Sequence, residues 1–316
     1  MNRIFPSLIT FVVLTLSCSN STPEPTPTPT PTERWNKIST GVGNVLLGVS
    51  FVSADVGFMV GTDGYIGKTS DGGKTWAKQT SGTASFLRDV YFSDSQTGTI
   101  VGEAGLILRT TNGGSTWTPQ TSGTTEHLVH VHFFNDNAGV ATGQGGVILK
   151  TTNAGVTWTK LTSNSTVEIP GAYMISDQII LVVGFGGLIM KTTNGGTTWT
   201  AIASGTTKDL RSIHFANATT GVAVAIGGII LKTEDGGQNW TSITSSGSSA
   251  DLYSVYLNDA NTITAVGTER IIDSTDHGAT WKRKSGFAGA LYAVTFFGAN
   301  VGWAVGQGGQ LYKFAQ

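Results

Sequence analysis

The chain has 316 residues, of which 43 are glycine, eight are tryptophan, one is cysteine and 12% are charged. Glycine is about twice as frequent as in an average protein but follows no Gly-X-Y period, which excludes collagen. A hydrophobic content of 39% excludes a disordered chain. A formal net charge of −1 offers no electrostatic footprint for nucleic acid, so no nucleic-acid partner is expected.

The first eighteen residues have the pattern of an export signal. Arg3 supplies a positive start, and the apolar stretch over residues 4–17 is too short to span a bilayer. Leu16-Ser17-Cys18 follows and resembles the lipobox of bacterial lipoproteins. This resemblance implies lipid attachment at Cys18 and an exported protein anchored to a bacterial membrane, at the outer membrane or the cell surface. An ordinary secretory signal is the alternative.

A tether follows the signal. Residues 19–33 read SNSTPEPTPTPTPTE, with prolines at alternating positions from 23 to 31. This composition favours a polyproline II spacer and lacks the apolar surface that a packed segment needs. The sequence therefore predicts a semi-rigid tether between the signal and a folded domain over residues 34–316.

The folded domain repeats every 41 residues. Seven of the tryptophans follow this period: Trp35, Trp76, Trp117, Trp158, Trp199, Trp240 and Trp281. Each unit contains four short β-like runs separated by turn residues, which is typical of a propeller blade. After Trp281 the chain supplies only three more strands, whereas Trp35 has no strands before it. We therefore expect a single all-β, seven-bladed propeller, closed by the Trp35 strand in the last blade.

One turn recurs six times, with the pattern [ST]-x-[DN]-x-G-x-[TN]-W ending at each tryptophan from Trp76 to Trp281. Its third residue can accept backbone N–H bonds, and the glycine two residues later can adopt positive φ. Half of the copies carry asparagine, which neither ionises nor acts as a base, so the turn is predicted to be structural. The residues in question are Asp71, Asn112, Asn153, Asn194, Asp235 and Asp276.

This turn resembles the Asp-box, also called the bacterial neuraminidase repeat. The longer phrase V-G-x-x-G-x-I-x-[KR]-T-x-[DN]-G-G-x-T-W, as in residues 101–117, resembles the photosystem II assembly and stability factor family of seven-bladed propellers. The resemblance implies a non-catalytic scaffold that binds a protein partner. From the export signal and the lipobox-like sequence, we expect the partner in the cell envelope and the scaffold tethered to the membrane. It implies no cofactor and no bound metal.

Positions that differ between blades are the candidates for partner binding. Arg88 and Arg211 occupy equivalent places, expected just before the first strands of their blades, on the face opposite the recurring turns. Arginine and tyrosine are favoured anchors at protein interfaces. Variable solvated loops are the alternative interpretation. The candidate partner-binding residues are Arg88, Asp89, Glu103, His127, Asp209, Arg211, Tyr253 and Arg270.

Two further patterns have structural alternatives. A basic residue recurs near the end of the third strand in six of the units, which could gather an anionic partner or pair with the neighbouring turn. In the run over residues 127–132, alternation places His130 and His132 on one strand face, but no carboxylate or cysteine motif completes a zinc site.

A carbohydrate-active propeller is the alternative function, either a sialidase-like or other glycoside hydrolase or a glycan-binding module. The Arg-Ile-Pro motif expected near the start of a sialidase domain is absent, since Glu168 precedes Ile169-Pro170. A pair of carboxylates facing each other across the channel, Asp89 and Asp209, is the remaining candidate for hydrolysis.

Overall fold

The computed structural model describes residues 35–243, 249–284 and 287–315. The predicted signal, the predicted tether and the predicted lipid attachment at Cys18 lie outside the described residues. Within the described residues, seven four-stranded antiparallel sheets form a seven-bladed propeller, as predicted. No helix in this part of the chain is both long and apolar enough to cross a bilayer.

Each blade runs from an inner strand to an outer strand in chain order. Blade 1 consists of β2 (Leu46–Phe51), β3 (Gly57–Gly61), β4 (Ile66–Thr69) and β5 (Ala77–Gln79). Blade 2 consists of β6 (Leu87–Phe92), β7 (Gly98–Gly102), β8 (Ile107–Thr110) and β9 (Thr118–Gln120). Blade 3 consists of β10 (Leu128–Phe133), β11 (Gly139–Gly143), β12 (Ile148–Thr151) and β13 (Thr159–Leu161). Blade 4 consists of β14 (Gly171–Met174), β15 (Ile180–Gly184), β16 (Leu188–Thr192) and β17 (Thr200–Ala201).

The remaining blades complete the ring. Blade 5 consists of β18 (Leu210–Phe215), β19 (Gly221–Ala225), β20 (Ile230–Thr233) and β21 (Thr241–Ile243). Blade 6 consists of β22 (Leu252–Leu257), β23 (Ile263–Gly267), β24 (Arg270–Ser274) and β25 (Lys282–Lys284). Blade 7 consists of β26 (Leu291–Phe297), β27 (Val301–Gly306), β28 (Leu311–Ala315) and β1 (Trp35–Ile38). The pairing of Trp35 with Phe314 places β1 on the outer edge of blade 7, which confirms the predicted closure.

One-turn 3-10 helices join the second and third strands in the blades other than blade 6. They are Thr62–Gly64, Glu103–Gly105, Gln144–Gly146, Phe185–Gly187, Ile226–Gly228 and Gln307–Gly309. These turns lie on the same face as the loops that lead to the next blade, and we call this the loop face. The recurring turns between third and fourth strands lie on the opposite face, which we call the Asp-box face.

The hydrophobic core lies between neighbouring blades. One such layer packs Phe58 and Ile66 of blade 1 against Leu87, Val90 and Ile100 of blade 2, all of them buried. Equivalent layers fill the other blade interfaces. Each blade is thus stabilised by burying both of its faces against neighbours, which a closed ring allows for every blade.

One residue at the Asp-box end of each inner strand and its partner on the second strand change together. In blade 2, Phe92 faces Gly98 across the sheet, and a Cβ on Gly98 would lie only 2.5 Å from the phenyl ring. Four other blades repeat this phenylalanine–glycine pair. Where the inner residue is smaller, as in Met174 of blade 4, its partner is Ile180. The pair therefore conserves volume in the core.

The Asp-box turn is held by its own side chains. In blade 1, Gly73 N donates to Thr69 Oγ1 over 2.9 Å, and Thr75 N donates to Asp71 Oδ1 over 2.9 Å. The asparagine copies keep the backbone bond, but the direction of the side-chain bond is reversed. In blade 1, Thr75 Oγ1 donates to Asp71 Oδ2. In blade 2, Asn112 Nδ2 donates to Thr116 Oγ1. Either residue therefore fits, and no metal or catalytic carboxylate is required.

Candidate functional site

A central channel of about 770 Å³ runs along the inner strands. In six inner strands a register shift of one residue leaves a bulge near the loop face, which turns an extra side chain to the channel mouth. The bulge residues are Leu47, Arg88, Val129, Arg211, Tyr253 and Tyr292; Pro170 precedes β14 in blade 4. Arg88 and Arg211 therefore lie inside β6 and β18, as the second residue of each strand, and not before the strands as the sequence analysis expected.

Each mouth arginine lies near an aromatic ring and an acid, but only Arg88 is hydrogen-bonded to its acid. Arg88 Nη2 lies 2.8 Å from Glu103 Oε1, and its guanidinium lies 5.5 Å from the centre of the Phe86 ring. Arg211 lies 4.4 Å from the ring centre of Phe185, but 3.8 Å separate its Nη2 from Asp209 Oδ2. The second ion pair is too long for a hydrogen bond, so the charge of Arg211 is less compensated than that of Arg88.

Tyrosines complete the mouth on the next two blades. The rings of Tyr253 and Tyr292 lie 5.5 Å apart and tilted by 45°. Tyr253 Oη also lies 3.5 Å from Asp251 Oδ2. The mouth thus combines two cations with two adjacent phenol rings on rigid strands.

The other residues predicted to bind a partner are His127 and Asp209 on the loop face and Arg270 in the interior. His127 Nδ1 accepts a bond from Ala104 N over 2.9 Å, beside Glu103 on the loop face. Asp209 Oδ1 accepts a bond from Gly186 N over 3.0 Å. Arg270 is the correction: it begins β24, pairs with Gly267 and is only 1% exposed, so a partner cannot reach it. Burial is the main cause that lowers the pKa of Arg270, and Arg283 adds to it.

Asp89 and His130 together join three consecutive inner strands inside the channel. Its carboxylate accepts bonds from Val90 N and Val131 N, and Oδ2 lies 2.8 Å from His130 Nδ1. His130 Nε2 in turn lies 3.0 Å from Ala172 O. Both ring nitrogens therefore face acceptors. Burial lowers the pKa of His130, but the hydrogen bond and charge of Asp89 outweigh it, so the net pKa is raised.

Below Asp89, five successive blades present aromatic or imidazole rings to the channel, and we call this set the imidazole arc. The ring centres of neighbours are 6.0, 4.4, 5.1 and 4.2 Å apart. Its members, in blade order, are Tyr91, His132, Tyr173, His214 and Tyr256. Blades 7 and 1 carry only Thr295 and Ser50 at this level, which leaves open space beside the arc.

Burial governs the protonation of the arc. It lowers the pKa of His214 to about 3, with a contribution from the charge of His130, and it lowers the pKa of His132 well below the usual value. Burial also raises the pKa of Tyr173 to about 12. At neutral pH the arc is uncharged. Sequence reasoning missed it because its members recur at 41- to 42-residue spacing and meet only once the ring closes.

Five of the six recurring basic residues contact the next blade, whereas Lys232 pairs with Glu234 of its own turn. Lys68, Lys191 and Lys313 donate to carbonyl oxygens of the following Asp-box turn at 2.8, 2.8 and 3.0 Å. Arg109 and Lys150 do the same. These cations are therefore not gathered for an anionic partner. Among the described residues, no cluster of three or more His, Cys, Asp or Glu side chains is arranged to hold a metal ion.

The two candidate carboxylates of a hydrolase differ in how they are bonded. Asp89 lies in the channel wall and bonds to His130 and two backbone N–H groups. Asp209 accepts a bond from Gly186 N at Oδ1, whereas its Oδ2 lies 3.8 Å from Arg211. A retaining or inverting glycosidase needs one carboxyl group that gives a proton and another that attacks or activates water.

Comparison with known proteins finds chains that are similar to this propeller. The family model described as photosynthesis system II assembly factor YCF48 matches residues 28–86 and 79–178. A solved structure named "YCF48 bound to D1 peptide" is 20% identical, with a TM-score of 0.77 over 91% of this chain and 96% of that chain. YCF48 from Cyanidioschyzon merolae is 23% identical, with a TM-score of 0.75 over 90% of this chain and 99% of that chain.

The fold is also shared with enzymes. The GH74 enzyme of Niastella koreensis is 17% identical, with a TM-score of 0.71 over 89% of this chain, which spans only 53% of the enzyme. At this identity the likeness concerns the fold alone. A comparison of the sequence with curated proteins finds no match.

Proposed function

We propose that this chain, a YCF48-like seven-bladed β-propeller, is a non-catalytic scaffold that binds an extended segment of a protein partner at the channel mouth. The observation that carries the proposal is the mouth itself, where bulges on separate blades bring Arg88, Arg211, Tyr253 and Tyr292 around one opening. Arginine and tyrosine are the residues that most often dominate binding energy at protein interfaces. The relative solved with a D1 peptide supports a peptide-binding role.

The mouth is suited to binding because its side chains are positioned before a partner arrives. Phe86 and Glu103 hold Arg88, and Phe185 packs against Arg211. Side chains that are already ordered lose less conformational entropy on binding, so more of the contact energy appears as affinity. The less compensated Arg211 favours a partner segment that carries an acidic side chain.

The second part of the proposal is tethering to a bacterial membrane through a lipid on Cys18, with residues 19–33 as the spacer. The lipobox-like sequence supports it. We expect Cys18→Ala to move the protein from the membrane to the soluble fraction of the cells. Retention in the membrane fraction would count against lipid attachment.

Crosslinking the full chain in intact cells, followed by affinity purification, tests the binding role. We expect one dominant protein partner with the wild type and loss of most of it with the double variant Arg88→Ala/Arg211→Ala. Lys78→Ala/Lys160→Ala is the matched control, because it removes two exposed cations from outer strands far from the mouth. Equal recovery with both double variants would exclude the mouth as the binding surface.

A glycoside hydrolase would be indicated by the opposite result. If no partner is recovered, and purified protein cleaves a polysaccharide with an activity that Asp89→Asn or Asp209→Asn abolishes, the scaffold proposal is wrong. A panel of xyloglucan and sialylated oligosaccharides provides the substrates for this measurement.

A further inference from the structure

The imidazole arc presents hydrogen-bond donors to the channel. Met174 N donates to His132 Nδ1 over 3.3 Å, and Leu257 N donates to His214 Nδ1 over 3.2 Å. A ring nitrogen that accepts a bond carries no proton, so the single proton of each neutral imidazole is on Nε2. Within the described part of the chain, no hydrogen bond engages either Nε2, and both rings line the channel.

This tautomer selects against a metal ion. A histidine that binds a metal uses an unprotonated nitrogen and donates a hydrogen bond through the other one. In His132 and His214 the arrangement is reversed, because the nitrogen toward the channel holds the proton. The two rings can therefore donate to a ligand but cannot coordinate a cation without losing their bonds to Met174 and Leu257.

One charge on the channel wall favours an anionic ligand. Among the described residues that line the channel, the Arg, Lys, Asp and Glu side chains are Arg88, Arg211 and Asp89. Arg88 is paired with Glu103 at 2.8 Å and Asp89 with His130 at 2.8 Å, whereas the acid nearest to Arg211 is 3.8 Å away. Arg211 is therefore the least compensated of these charges, and it attracts anions to the channel.

We propose that the channel binds an organic carboxylate with an apolar or aromatic body, whose oxygens accept hydrogen bonds from the Nε2–H groups of His132 and His214. Tyr173 lies between the two imidazoles, with ring-centre distances of 4.4 and 5.1 Å, and offers its ring to the body of the ligand. The space beside Ser50 and Thr295 accommodates the remainder. This site is independent of a protein partner at the mouth.

Calorimetric titration of the full chain with benzoate and with its neutral isostere benzamide tests the proposal. We expect benzoate to bind at least about tenfold more tightly, because hydrogen bonds to a charged acceptor are stronger than those to a neutral one and benzamide lacks the charge. NMR of the wild type should show that benzoate moves the His132 and His214 ring signals and raises their pKa. Equal affinity for both compounds, or binding that leaves both rings unmoved, would overturn the proposal.

Variants of His214 test its role as a hydrogen-bond donor separately from the packing of its ring. His214→Phe keeps a ring in the arc but removes the donor, so we expect about tenfold weaker benzoate binding. His214→Gln keeps an amide donor and should bind better than the phenylalanine variant. His277→Asn, in the exposed Asp-box turn of blade 6 and outside the channel, is the control and should bind like the wild type. If the phenylalanine variant does not fold, the wild-type NMR measurement still decides.

The carboxylate could be a free small molecule or the end of a protein chain. Acetyl-Gly-Gly-Phe and its C-terminal amide distinguish the two. Binding of the peptide acid but not of benzoate would assign the site to a chain terminus, and binding of both would assign it to carboxylates in general. If neither the peptide acid nor benzoate binds, the carboxylate site does not exist. This result would leave the crosslinking test of a protein partner at the mouth unaffected.

Discussion

Two junctions of the ring are built differently, although each joins neighbouring blades. Between blades 2 and 3, Arg109 Nε donates to Ala154 O of the next Asp-box turn over 2.7 Å. Blade 7 has no such turn, because its outer strand comes from the other end of the propeller. At the junction of blades 6 and 7, the basic residue is accordingly replaced by Asp273, which accepts a bond from Trp35 Nε1 over 3.3 Å. At these two junctions the side chain at this position therefore bonds to the neighbouring blade. It is a donor where the neighbour presents a carbonyl oxygen and an acceptor where the neighbour presents an N–H group.

The junction between blades 7 and 1 is reinforced in another way. Lys313 Nζ and Trp303 Nε1 both donate to Gly72 O, at 3.0 and 3.1 Å. The Trp303 ring also stacks on Phe51, with ring centres 3.4 Å apart. Trp303 is the tryptophan that falls outside the 41-residue period, and its place at the closing region explains why it interrupts the pattern.

The largest effect should come from loosening the closing strand. Trp35 packs 5.8 Å from Phe296 and 5.4 Å from Phe314, so Trp35→Ala should lower the free energy of unfolding by about 3–5 kcal/mol. Trp117→Ala, in a blade formed from continuous chain, should cost less, because its neighbouring strands stay joined by turns. Urea unfolding of both variants measures the difference. Equal losses would show that closure is no more vulnerable than any other blade.

The regular blades can be tested through their phenylalanine–glycine pair. Gly98→Ile alone should destabilise the protein by about 1–3 kcal/mol, because its side chain would collide with Phe92. Adding Phe92→Met reproduces the methionine–isoleucine pair of blade 4, so the double variant should recover most of that loss. A double-mutant cycle in urea gives the coupling. Additive losses would mean that the two positions do not share volume.

The sequence predicted what every blade repeats and missed what depends on register. The tryptophan period yielded the blade number and the closure by Trp35, because each tryptophan has the same packing role. The position of Arg88 could not be predicted, since a bulge depends on the pairing of β6 with β7 and not on local residue pattern. Arg270 seemed to be a loop residue because its turn lacks the usual glycines, yet the shorter turn starts β24 there and buries it.

Contacts between blades were equally hidden. Arg109 and Ala154 are 45 residues apart, and so are Lys68 and Gly113, so neither pair is visible within one repeat. The bond between Asp89 and His130 likewise joins two blades. Local pattern therefore determines strands and turns, while the candidate site arises from neighbours that only the closed ring brings together.

The bridging cations should have a smaller effect than the core. Lys150 Nζ donates to Asp177 O and Gly195 O in the next blade, so Lys150→Met should cost about 1 kcal/mol while keeping the apolar stem. Lys232→Met is the matched control, because Lys232 pairs with the exposed Glu234 of its own turn, and such surface pairs contribute about 0–1 kcal/mol. Thermal unfolding compares them. A larger loss for Lys232 would contradict a bridging role for the cations.

The smallest effect at neutral pH is expected in the Asp-box turn. Asp71→Asn should leave the urea midpoint unchanged at pH 7, because asparagine fills this place in blades 2 to 4 with the same backbone bond.

The stability of the wild type and that of the Asp71→Asn variant should differ in acid. Hydrogen bonds from the side chain and backbone of Thr75 lower the pKa of Asp71 to about 2. A carboxylate with a lowered pKa contributes stability that is present above its unfolded pKa near 4 and is lost as pH falls through about 2. Asparagine cannot titrate, so the variant should lose less stability between pH 4 and pH 2, and parallel acid curves would show that the charge of Asp71 does not support the turn.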